Sequence, residues 1–322
     1  MKTIAVLIGL AGVVSAAALP NMSARADGMQ SWVSSTGSGA TCSRAQPCDS
    51  FLNAHAATFS GGQINCIDNG NFGFVVITKS ITIDCSATFS NVTAGVSGVG
   101  VAVNGDGIIV TLRGLSVQGY GQQAIGIDLI NAAELHVENC RIAGFGGLSP
   151  GHGIKVEPGN GITTKLYVLD TVIADNGLAN SGGGIIVQPA GSGSARVMIE
   201  RSHIETNTYG IFANGTGSTG VIAVHVRDSV IANNGVNGIS AFTQAGKSTT
   251  SIVVDHSASN LNGGSGVLSQ GAGGFITLKD STVISNGTGL TAANGGTIFS
   301  YQNNALTGNV ADGAPTAVLT LK

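Results

Sequence analysis

The sequence is poor in charged side chains. Only 10% of its 322 residues are Asp, Glu, Lys or Arg, whereas a typical soluble domain has about a quarter. This shortage excludes a coiled coil, a helical bundle with a charged surface, and a disordered chain kept soluble by its charge. The 14 basic residues are outnumbered by 17 acidic ones and form no cluster, so nucleic acid is not expected as a partner.

Glycine, by contrast, is abundant. The chain has 50 glycines and 43% hydrophobic residues, and this glycine content is about twice the average. So many glycines favour turns and disfavour long helices, yet the apolar residues suffice for a core. This composition is typical of a protein in which a short repeated unit is stacked.

The first 26 residues are typical of a signal peptide. Lys2 precedes an apolar run that ends at Leu19, and the small-x-small site 24–26 follows it. We predict cleavage after Ala26 and export to the periplasm or the extracellular space; an uncleaved N-terminal anchor is the alternative. After cleavage, no apolar run approaches the ~18 residues that a membrane span needs.

Five cysteines fit an oxidising compartment. Cys42, Cys48, Cys66 and Cys85 allow three disulfide pairings. We favour Cys42–Cys48 and Cys66–Cys85, because each bond closes a short local loop. Cys140 occupies a position that recurs with small residues, so we predict a buried thiol there rather than a nucleophile.

One motif of eleven residues recurs from about residue 110, with "LYVLDTVIADN" as an example. Its copies begin at Leu135, Leu166, Val197, Val224, Ile252, Ile276 and Ile298. A second motif, Gly-(Ile/Val/Leu)-x-(Val/Ala/Ser), lies between the copies. It begins at Gly153, Gly184, Gly210, Gly238, Gly266 and Gly289.

Both motifs alternate apolar and polar residues, and neither has the 3.6-residue period of a helix, so they predict strands. A unit this short cannot bury its own apolar face, and successive units must stack with their strands in parallel. In the first motif, positions 1, 3 and 8, for example Leu166, Val168 and Ile173, point inward, whereas positions 2 and 4 point outward. The sequence predicts an all-β protein, a single-stranded right-handed parallel β-helix, over residues 63–322.

Two columns of polar residues run through the repeats. Position 11 is an asparagine in five consecutive copies, which predicts a stacked asparagine ladder: Asn176, Asn207, Asn234, Asn262 and Asn286. Positions 4 and 5 carry charges that alternate in sign from copy to copy. They are Glu200, Arg227, Asp255 and Lys279 at position 4, and Asp170, Arg201, Asp228, His256 and Asp280 at position 5. We interpret this column as mutually paired surface charges and predict no metal or cofactor; calcium is not indicated.

Residues 27–62 are predicted to form an N-terminal extension that ends in a capping helix. Asp49 or Ser50 can begin this helix, and Gly61-Gly62 can end it. Its apolar side is expected to cover the first coil and to contain Phe51, Leu52, His55, Ala56 and Phe59. On that side, His55 is expected to be a packing residue.

These features resemble a known group of folds. Gly-Ile-x-Val strands, V-x-V-x-(D/N)-S-x-I turns and the asparagine ladder are similar to the right-handed β-helices of pectate-lyase-like and polygalacturonase-like proteins, over roughly residues 60–310. The segments "TCSRAQPC", "GGQINCIDNGNFG", "ITKSITIDC" and "LHVENC" resemble more closely an uncharacterised group of exported bacterial β-helix repeat proteins. The resemblance implies contact with carbohydrate, often with lyase or hydrolase chemistry, although a fold alone does not carry an activity.

The chemistry of those enzymes matches this sequence poorly. The polygalacturonase-like hydrolases resemble it only at Gly151-His152-Gly153, and the Asn-Thr-Asp and Asp-Asp sequences that would supply paired acids are absent. A calcium-dependent lyase needs converging carboxylates and a basic residue. The outward column where the resemblance places them is mostly neutral: Lys155, Ile186, Phe212, Ser240, Leu268 and Thr291. We therefore assign no catalytic residue.

A small group of residues remains as a candidate ligand site on the third and fourth coils. It consists of Asp128, His152, Lys155, Glu157, Gln188, Tyr209 and Phe212. Here the aromatic rings could stack on sugars while the polar groups orient hydroxyls; the alternative is a Lys155 salt bridge to Asp128 or Glu157 on a solvated face. The sequence favours a polysaccharide-binding protein without a complete catalytic set. The alternatives are a polysaccharide lyase or glycoside hydrolase, and a structural protein that self-associates through Ile186, Phe212 and Leu268.

Overall fold

The computed structural model describes residues 28–39, 41–95, 97–147 and 150–320. The predicted signal peptide and its cleavage site after Ala26 lie outside the described residues. Within these ranges, no helix combines the length and the apolar character needed to cross a bilayer.

One helix and thirty short strands make up the described chain. The first elements are β1 (Gln30–Val33), α1 (Phe51–Ala57), β2 (Gly62–Cys66), β3 (Val75–Ile77), β4 (Ile81–Asp84), β5 (Ser90–Thr93), β6 (Val99–Asn104), β7 (Ile109–Arg113), β8 (Leu115–Gln118), β9 (Ile125–Asn131) and β10 (Glu134–Glu138). They are followed by β11 (Arg141–Ala143), β12 (His152–Val156), β13 (Thr163–Leu169), β14 (Val172–Ala174), β15 (Gly183–Val187), β16 (Ser194–Glu200), β17 (His203–Glu205), β18 (Ile211–Asn214), β19 (Val221–Arg227) and β20 (Val230–Ala232). The last are β21 (Ile239–Phe242), β22 (Thr249–Asp255), β23 (Ala258–Asn260), β24 (Ser265–Gln270), β25 (Gly274–Lys279), β26 (Thr282–Ile284), β27 (Thr288–Ala293), β28 (Thr297–Ser300), β29 (Ala305–Thr307) and β30 (Ala317–Val318).

The strands form three parallel sheets. Sheet 1 has twelve strands in the order β1-β2-β4-β7-β10-β13-β16-β19-β22-β25-β28-β30. Sheet 2 has nine strands and runs from β5 through β8, β11, β14, β17, β20, β23 and β26 to β29. Sheet 3 also has nine strands and runs from β3 through β6, β9, β12, β15, β18, β21 and β24 to β27.

Each full coil of the chain contributes one strand to each sheet, and each strand pairs in parallel with its counterpart in the next coil. The result is a parallel β-solenoid of about nine turns, which confirms the predicted right-handed parallel β-helix. The first strand of sheet 1, β1, pairs with β2 and lies within the range 27–62 that the sequence assigned to an N-terminal extension.

The apolar core fills the space between the three sheets. Leu166, Val168 and Ile173 are fully buried, as the motif phase predicted. The same positions in neighbouring coils are in register with them, for example Val168 with Ile199. A fully buried aliphatic side chain contributes about 1.5–3 kcal/mol to folding, so the stacking of coils supplies the stability that a single coil lacks.

The asparagine ladder is present at the turn between sheets 2 and 3. Asn176, Asn207, Asn234 and Asn262 each donate from Nδ2 to the Oδ1 atom of the next asparagine, at 2.9–3.2 Å. The backbone N–H of each residue donates to the same oxygen. The ladder continues beyond the prediction, because Asn286 also donates to Asn309 at 2.9 Å. Buried amides are thereby satisfied along the turn.

Glycine begins the second motif because it packs against this ladder. A Cβ atom on Gly153 would lie 2.7 Å from the carbonyl oxygen of Gly184 and 2.9 Å from Nδ2 of Asn176. Such distances are too short for any side chain. The glycine column and the asparagine column are therefore two halves of one close contact.

A second polar column, which the sequence did not reveal, follows position 6 of the motif. Thr171, Ser202, Ser229 and Ser257 accept a hydrogen bond from the backbone N–H of the preceding coil and donate to a carbonyl two residues earlier. Cys140 occupies the same position in its coil. This explains why the position takes only small residues.

The charges at positions 4 and 5 form ion pairs between and within coils. Arg201 donates to both carboxylate oxygens of Asp170, at 2.9 and 3.1 Å, and Lys279 Nζ lies 3.3 Å from an oxygen of Asp255. Position 5 also has a positive φ, for example 49° at Asp170 and 47° at Arg201. Paired charges at the surface are the arrangement that the alternation of signs predicted.

The capping helix differs from its predicted form. It begins after Ser50, whose side chain accepts from the N–H of Asn53, and it ends at Ala57, before Gly61-Gly62. Its buried residues are Phe51, Ala54 and His55, whereas Leu52, Ala56 and Phe59 are exposed. The predicted apolar face was therefore wrong for those three residues, because a helix of two turns buries only the narrow side that faces β1, β2 and β3.

His55 packs beneath this helix as predicted, with 8% of its surface exposed. Its Nε2 atom accepts a hydrogen bond from the N–H of Thr78 at 3.4 Å, and burial lowers the pKa of the imidazole. Beside it, Phe51 meets Phe72 edge-on, with ring centroids 5.3 Å apart.

The two predicted disulfides, Cys42–Cys48 and Cys66–Cys85, are confirmed. Both lie near the N-terminal end of the solenoid. Cys140 is buried and unpaired, and burial raises the pKa of its thiol to about 12. A thiol with this pKa is protonated at neutral pH, so it does not act as a nucleophile.

Candidate functional site

A cavity of about 270 Å³ opens on the outer face of sheet 3, where β12, β15 and β18 lie side by side. It is called the Tyr209 cavity below. Its lining consists of Pro150, His152, Asn180, Ser181, Gly182, Ile186, Gln188, Tyr209 and Phe212. These residues come from three consecutive coils, because the strand register places equivalent positions next to one another.

Two aromatic rings form one side of this cavity. Tyr209 and Phe212 are stacked, with ring centroids 5.3 Å apart and an interplanar angle of 22°. Gly183, the first residue of β15, allows the backbone to approach Tyr209, because a Cβ atom there would lie 2.3 Å from the carbonyl oxygen of Tyr209. This close approach fixes the position of the tyrosine at the entrance to β18.

His152 lies at the start of β12 and is half-buried. Burial, reinforced by the positive charge of Lys155, lowers the pKa of its imidazole to about 4. The ring is therefore neutral at pH 7 and can both donate and accept hydrogen bonds. Its Nδ1 atom is buried and has no hydrogen-bond partner within the described residues.

Asp128, Lys155 and Glu157 form a second group beside the cavity. Lys155 pairs with Asp128 in the strand register, but its Nζ atom lies 2.6 Å from Glu157 Oε2. Asp128 is 7% exposed, and its Oδ1 atom is buried without a partner in the described chain. Burial, together with the charge of Glu157, raises the pKa of Asp128 to about 7. Lys155 is thus paired with Glu157 rather than with Asp128.

The structure divides the seven residues predicted from the sequence into these two groups. His152, Gln188, Tyr209 and Phe212 line one cavity, whereas Asp128, Lys155 and Glu157 lie outside its lining. Of the two salt bridges considered for Lys155, the one to Glu157 is formed.

The outward column of sheet 3 lies in the register that the motifs predicted, but it is not an exposed apolar strip. Ile186 is only 2% exposed and Ser240 is fully buried. Both residues neighbour Phe212 in the strand register, and Phe212 stacks on the ring of Tyr209. The expectation of a contiguous exposed surface through Ile186, Phe212 and Leu268 was therefore wrong, because large aromatic neighbours cover the smaller side chains.

Sequence reasoning missed a second cavity on the same face. It measures about 340 Å³ and is called the Phe242 cavity below. Its lining consists of Phe242, Thr243, Gln244, Ala245, Gln270, Gly271, Ala272 and Asn294. Phe242 and Gln270 are directly paired in the register, a contact that the spacing of the second motif could have indicated.

Sequence reasoning also missed a groove of about 430 Å³ on the outer face of sheet 1. Lys165, Tyr167, Arg196, Met198, Ala223, His225, Ser251 and Val253 are among its lining residues. Tyr167 stacks on His136, with ring centroids 4.6 Å apart, and Lys165 pairs with Glu134 at 2.8 Å. This groove has an apolar floor and two cationic side chains at its edge.

Among the described residues, one group of three side chains has the spacing of metal ligands. It consists of Asp255, His256 and Asp280. The ammonium group of Lys279 lies 3.3 Å from Asp255 and 3.6 Å from Asp280. Because Lys279 already supplies the positive charge, this group belongs to the paired surface charges of sheet 1.

Comparison with known proteins adds little to this geometry. The chain matches no protein-family model and no curated protein sequence. Among solved structures it is similar to the crystal structure of pectate lyase Pel9A, with a TM-score of 0.49 and 14% identity over 89% of this chain and 79% of the other. The class of protein that the structure defines is a right-handed parallel β-helix with an uncharged aromatic cavity on one face.

Proposed function

We propose that this protein binds polysaccharide outside the cytoplasm through the Tyr209 cavity. The observation that carries the proposal is the stacked pair Tyr209–Phe212, which shares one cavity with the side chains of His152, Asn180 and Gln188. Aromatic faces pack against the apolar faces of sugar rings, and amide or imidazole groups donate to and accept from the hydroxyls. The cavity thus combines the two kinds of contact that a carbohydrate needs.

Export is part of the proposal. The predicted signal peptide and the two disulfides fit an oxidising compartment outside the cytoplasm. A solenoid stabilised by disulfides in that location would meet cell-surface or extracellular polysaccharide. Mass spectrometry of the exported protein tests this part: the mature chain should begin at Asp27, and an intact Met1 would contradict cleavage.

A polysaccharide lyase or glycoside hydrolase is the second candidate, and one observation favours it. Asp128 has a pKa of about 7, so a large share of it is protonated at neutral pH and able to donate a proton, as general acids do. Its position argues against this role, because it is only 7% exposed and lies outside the lining of the Tyr209 cavity. In a hydrolase, the two carboxyl groups flank the scissile bond, roughly 5–9.5 Å apart.

Calorimetry on hits from a glycan array tests the binding proposal. We expect His152→Ala and Tyr209→Ala to weaken binding at least tenfold, since each removes a direct contact with the sugar. Binding that neither substitution changes would overturn the assignment of the cavity. Release of new reducing ends or unsaturated products, abolished by Asp128→Asn, would instead establish the enzyme.

A further inference from the structure

We propose that the Tyr209 cavity and the Phe242 cavity are two subsites of one cleft, which holds an extended, uncharged polysaccharide chain along the axis of the solenoid. This inference rests on the proposed function and specifies its ligand. It adds Phe242, Gln270 and Asn294 to the binding residues.

An aromatic contact links the linings of the two cavities. Phe212 lines the first cavity and Phe242 lines the second, and their ring centroids are 6.1 Å apart. With Tyr209, the three rings form an aromatic row across the outer face of sheet 3. A ligand chain that leaves the first cavity along this row enters the second.

The length of the cleft follows from the strand order. The residues from His152 to Asn294 belong to six successive coils, those of β12, β15, β18, β21, β24 and β27. Neighbouring strands are about 4.8 Å apart, so five intervals give a cleft of roughly 24 Å. This length accommodates several sugar rings in a row, whereas either cavity alone accommodates a short fragment.

The chemistry of the lining selects an uncharged chain. Neither cavity is lined by an Asp, Glu, Lys or Arg side chain. The imidazole of His152, which lines the Tyr209 cavity, is neutral at pH 7 because burial and the charge of Lys155 lower its pKa. The neighbouring charges of Lys155 and Glu157 are engaged with each other at 2.6 Å. A polyuronate would therefore leave its carboxylates without a cationic partner in this cleft, which is unfavourable.

The second subsite repeats the chemistry of the first. Phe242 supplies an aromatic face that is half-buried, and Gln244, Gln270 and Asn294 supply amides around it. Amides both donate and accept, as sugar hydroxyls do. The pattern of one aromatic face with several amides thus occurs twice along the same face.

Calorimetry with oligosaccharides of increasing length tests the inference. The probes are cello-, xylo- and manno-oligosaccharides of two to eight sugars, with oligogalacturonates of the same lengths as acidic counterparts. We expect the affinity for a neutral series to rise at least tenfold between three and six sugars, with little dependence on salt. A chain that spans both subsites gains the contacts of the second without losing further translational freedom.

Substitutions separate the two subsites. Phe242→Ala should lower the affinity for the hexasaccharide about tenfold and leave the affinity for the trisaccharide unchanged. Tyr209→Ala should lower the affinity for both. The matched control is Phe299→Ala, which removes a half-buried ring from a similar stacked pair, Phe275–Phe299, on sheet 1. This control should bind both oligosaccharides as the unchanged protein does.

Two outcomes would overturn the inference. Binding that is lost in Tyr209→Ala but independent of chain length would leave the proposed function standing and remove the second subsite. Binding restricted to oligogalacturonates and lost in Arg196→Ala would place the ligand in the groove of sheet 1 and contradict the uncharged cleft. Absence of binding to every glycan would count against the proposed function itself.

Discussion

The outer face of sheet 1 carries rows of opposite charges, whereas the outer face of sheet 3 carries aromatic rings and amides. On sheet 1, Arg113 bridges Asp84 and Glu138 from neighbouring coils, at 3.3 and 2.8 Å. On sheet 3, Phe212 contacts the rings of Tyr209 and Phe242. Both sheets consist of parallel strands. The difference shows that a solenoid can use one face for self-pairing charges and leave another with groups whose partners must come from outside.

The two faces also treat carboxylates differently. On sheet 1, Asp255 lies beside Lys279 and His256; although burial raises the pKa of Asp255, hydrogen bonds from His256 and Lys279 outweigh this and lower it. On sheet 3, burial raises the pKa of Asp128 to about 7, because Glu157 adds a negative charge and the nearby Lys155 compensates only in part. This contrast leads to the prediction with the largest expected effect.

Asp128→Asn should stabilise the protein increasingly as the pH rises from about 4 to about 7. The folded state of the unchanged protein binds more protons than the unfolded state in this window, so its free energy of unfolding falls as the pH rises. The substitution removes this loss, so above pH 7 the free energy of unfolding of the variant should exceed that of the unchanged protein by up to roughly 4 kcal/mol. Urea denaturation at several pH values measures the difference between the two proteins.

Asp255→Asn is the matched control on sheet 1 and should show the opposite sign. Its carboxylate has a lowered pKa, so it stabilises the folded state above its unfolded pKa, and this stabilisation is lost as the pH falls through its folded pKa. The variant should therefore be less stable than the unchanged protein at pH 7 and similar to it in acid. A difference for Asp128→Asn that does not change with pH would contradict the contrast between the faces.

The second prediction compares two half-buried rings. Phe212→Ala should lower the free energy of unfolding by about 2 kcal/mol, because it removes contacts with two rings and uncovers Ile186. Phe299→Ala on sheet 1 loses one ring contact, with Phe275 at a centroid distance of 6.3 Å, and should cost about 1 kcal/mol. Equal losses in chemical denaturation would show that the aromatic row adds nothing to sheet 3.

The smallest effect is expected for the ion pairs of sheet 1. Arg113→Gln should cost no more than about 1 kcal/mol, since its side chain is 39% exposed and exposed ion pairs are weak. The loss should shrink further at high salt, where surface charges are screened. A larger loss that persists in 1 M salt would mean that this face depends on its charges as much as sheet 3 depends on its rings.

The sequence predicted the fold in detail because the repeat encodes it locally. Most copies of the motif contain an inward Ile or Val, a small residue at the turn and a final asparagine, and stacking converts each of these into a column. The Cys66–Cys85 disulfide could be predicted for a related reason. Cys66 is the last residue of β2, Cys85 directly follows β4, and these two strands pair with each other.

The site could be predicted only in part, because it depends on the sizes of neighbouring side chains. An outward phase was assigned correctly to Ile186, but its burial depends on the ring of Phe212 in the next coil. The Phe242 cavity was not predicted because Phe242, Gln270 and Asn294 are residues of different types and therefore form no recurring pattern in the sequence. The pairing of Lys155 with Glu157 rather than Asp128 likewise depends on side-chain conformation, which the motif does not encode.

The spacing of the motif copies falls from 31 residues to 22 along the chain, yet the strands stay in register throughout. The extra residues are absorbed by bends outside the stacked strands. Gain or loss of a whole rung would consequently lengthen or shorten the cleft by one step of about 4.8 Å while leaving the remaining rungs intact. The length of the cleft in such a scaffold can therefore change in discrete steps while the packing of its core stays the same.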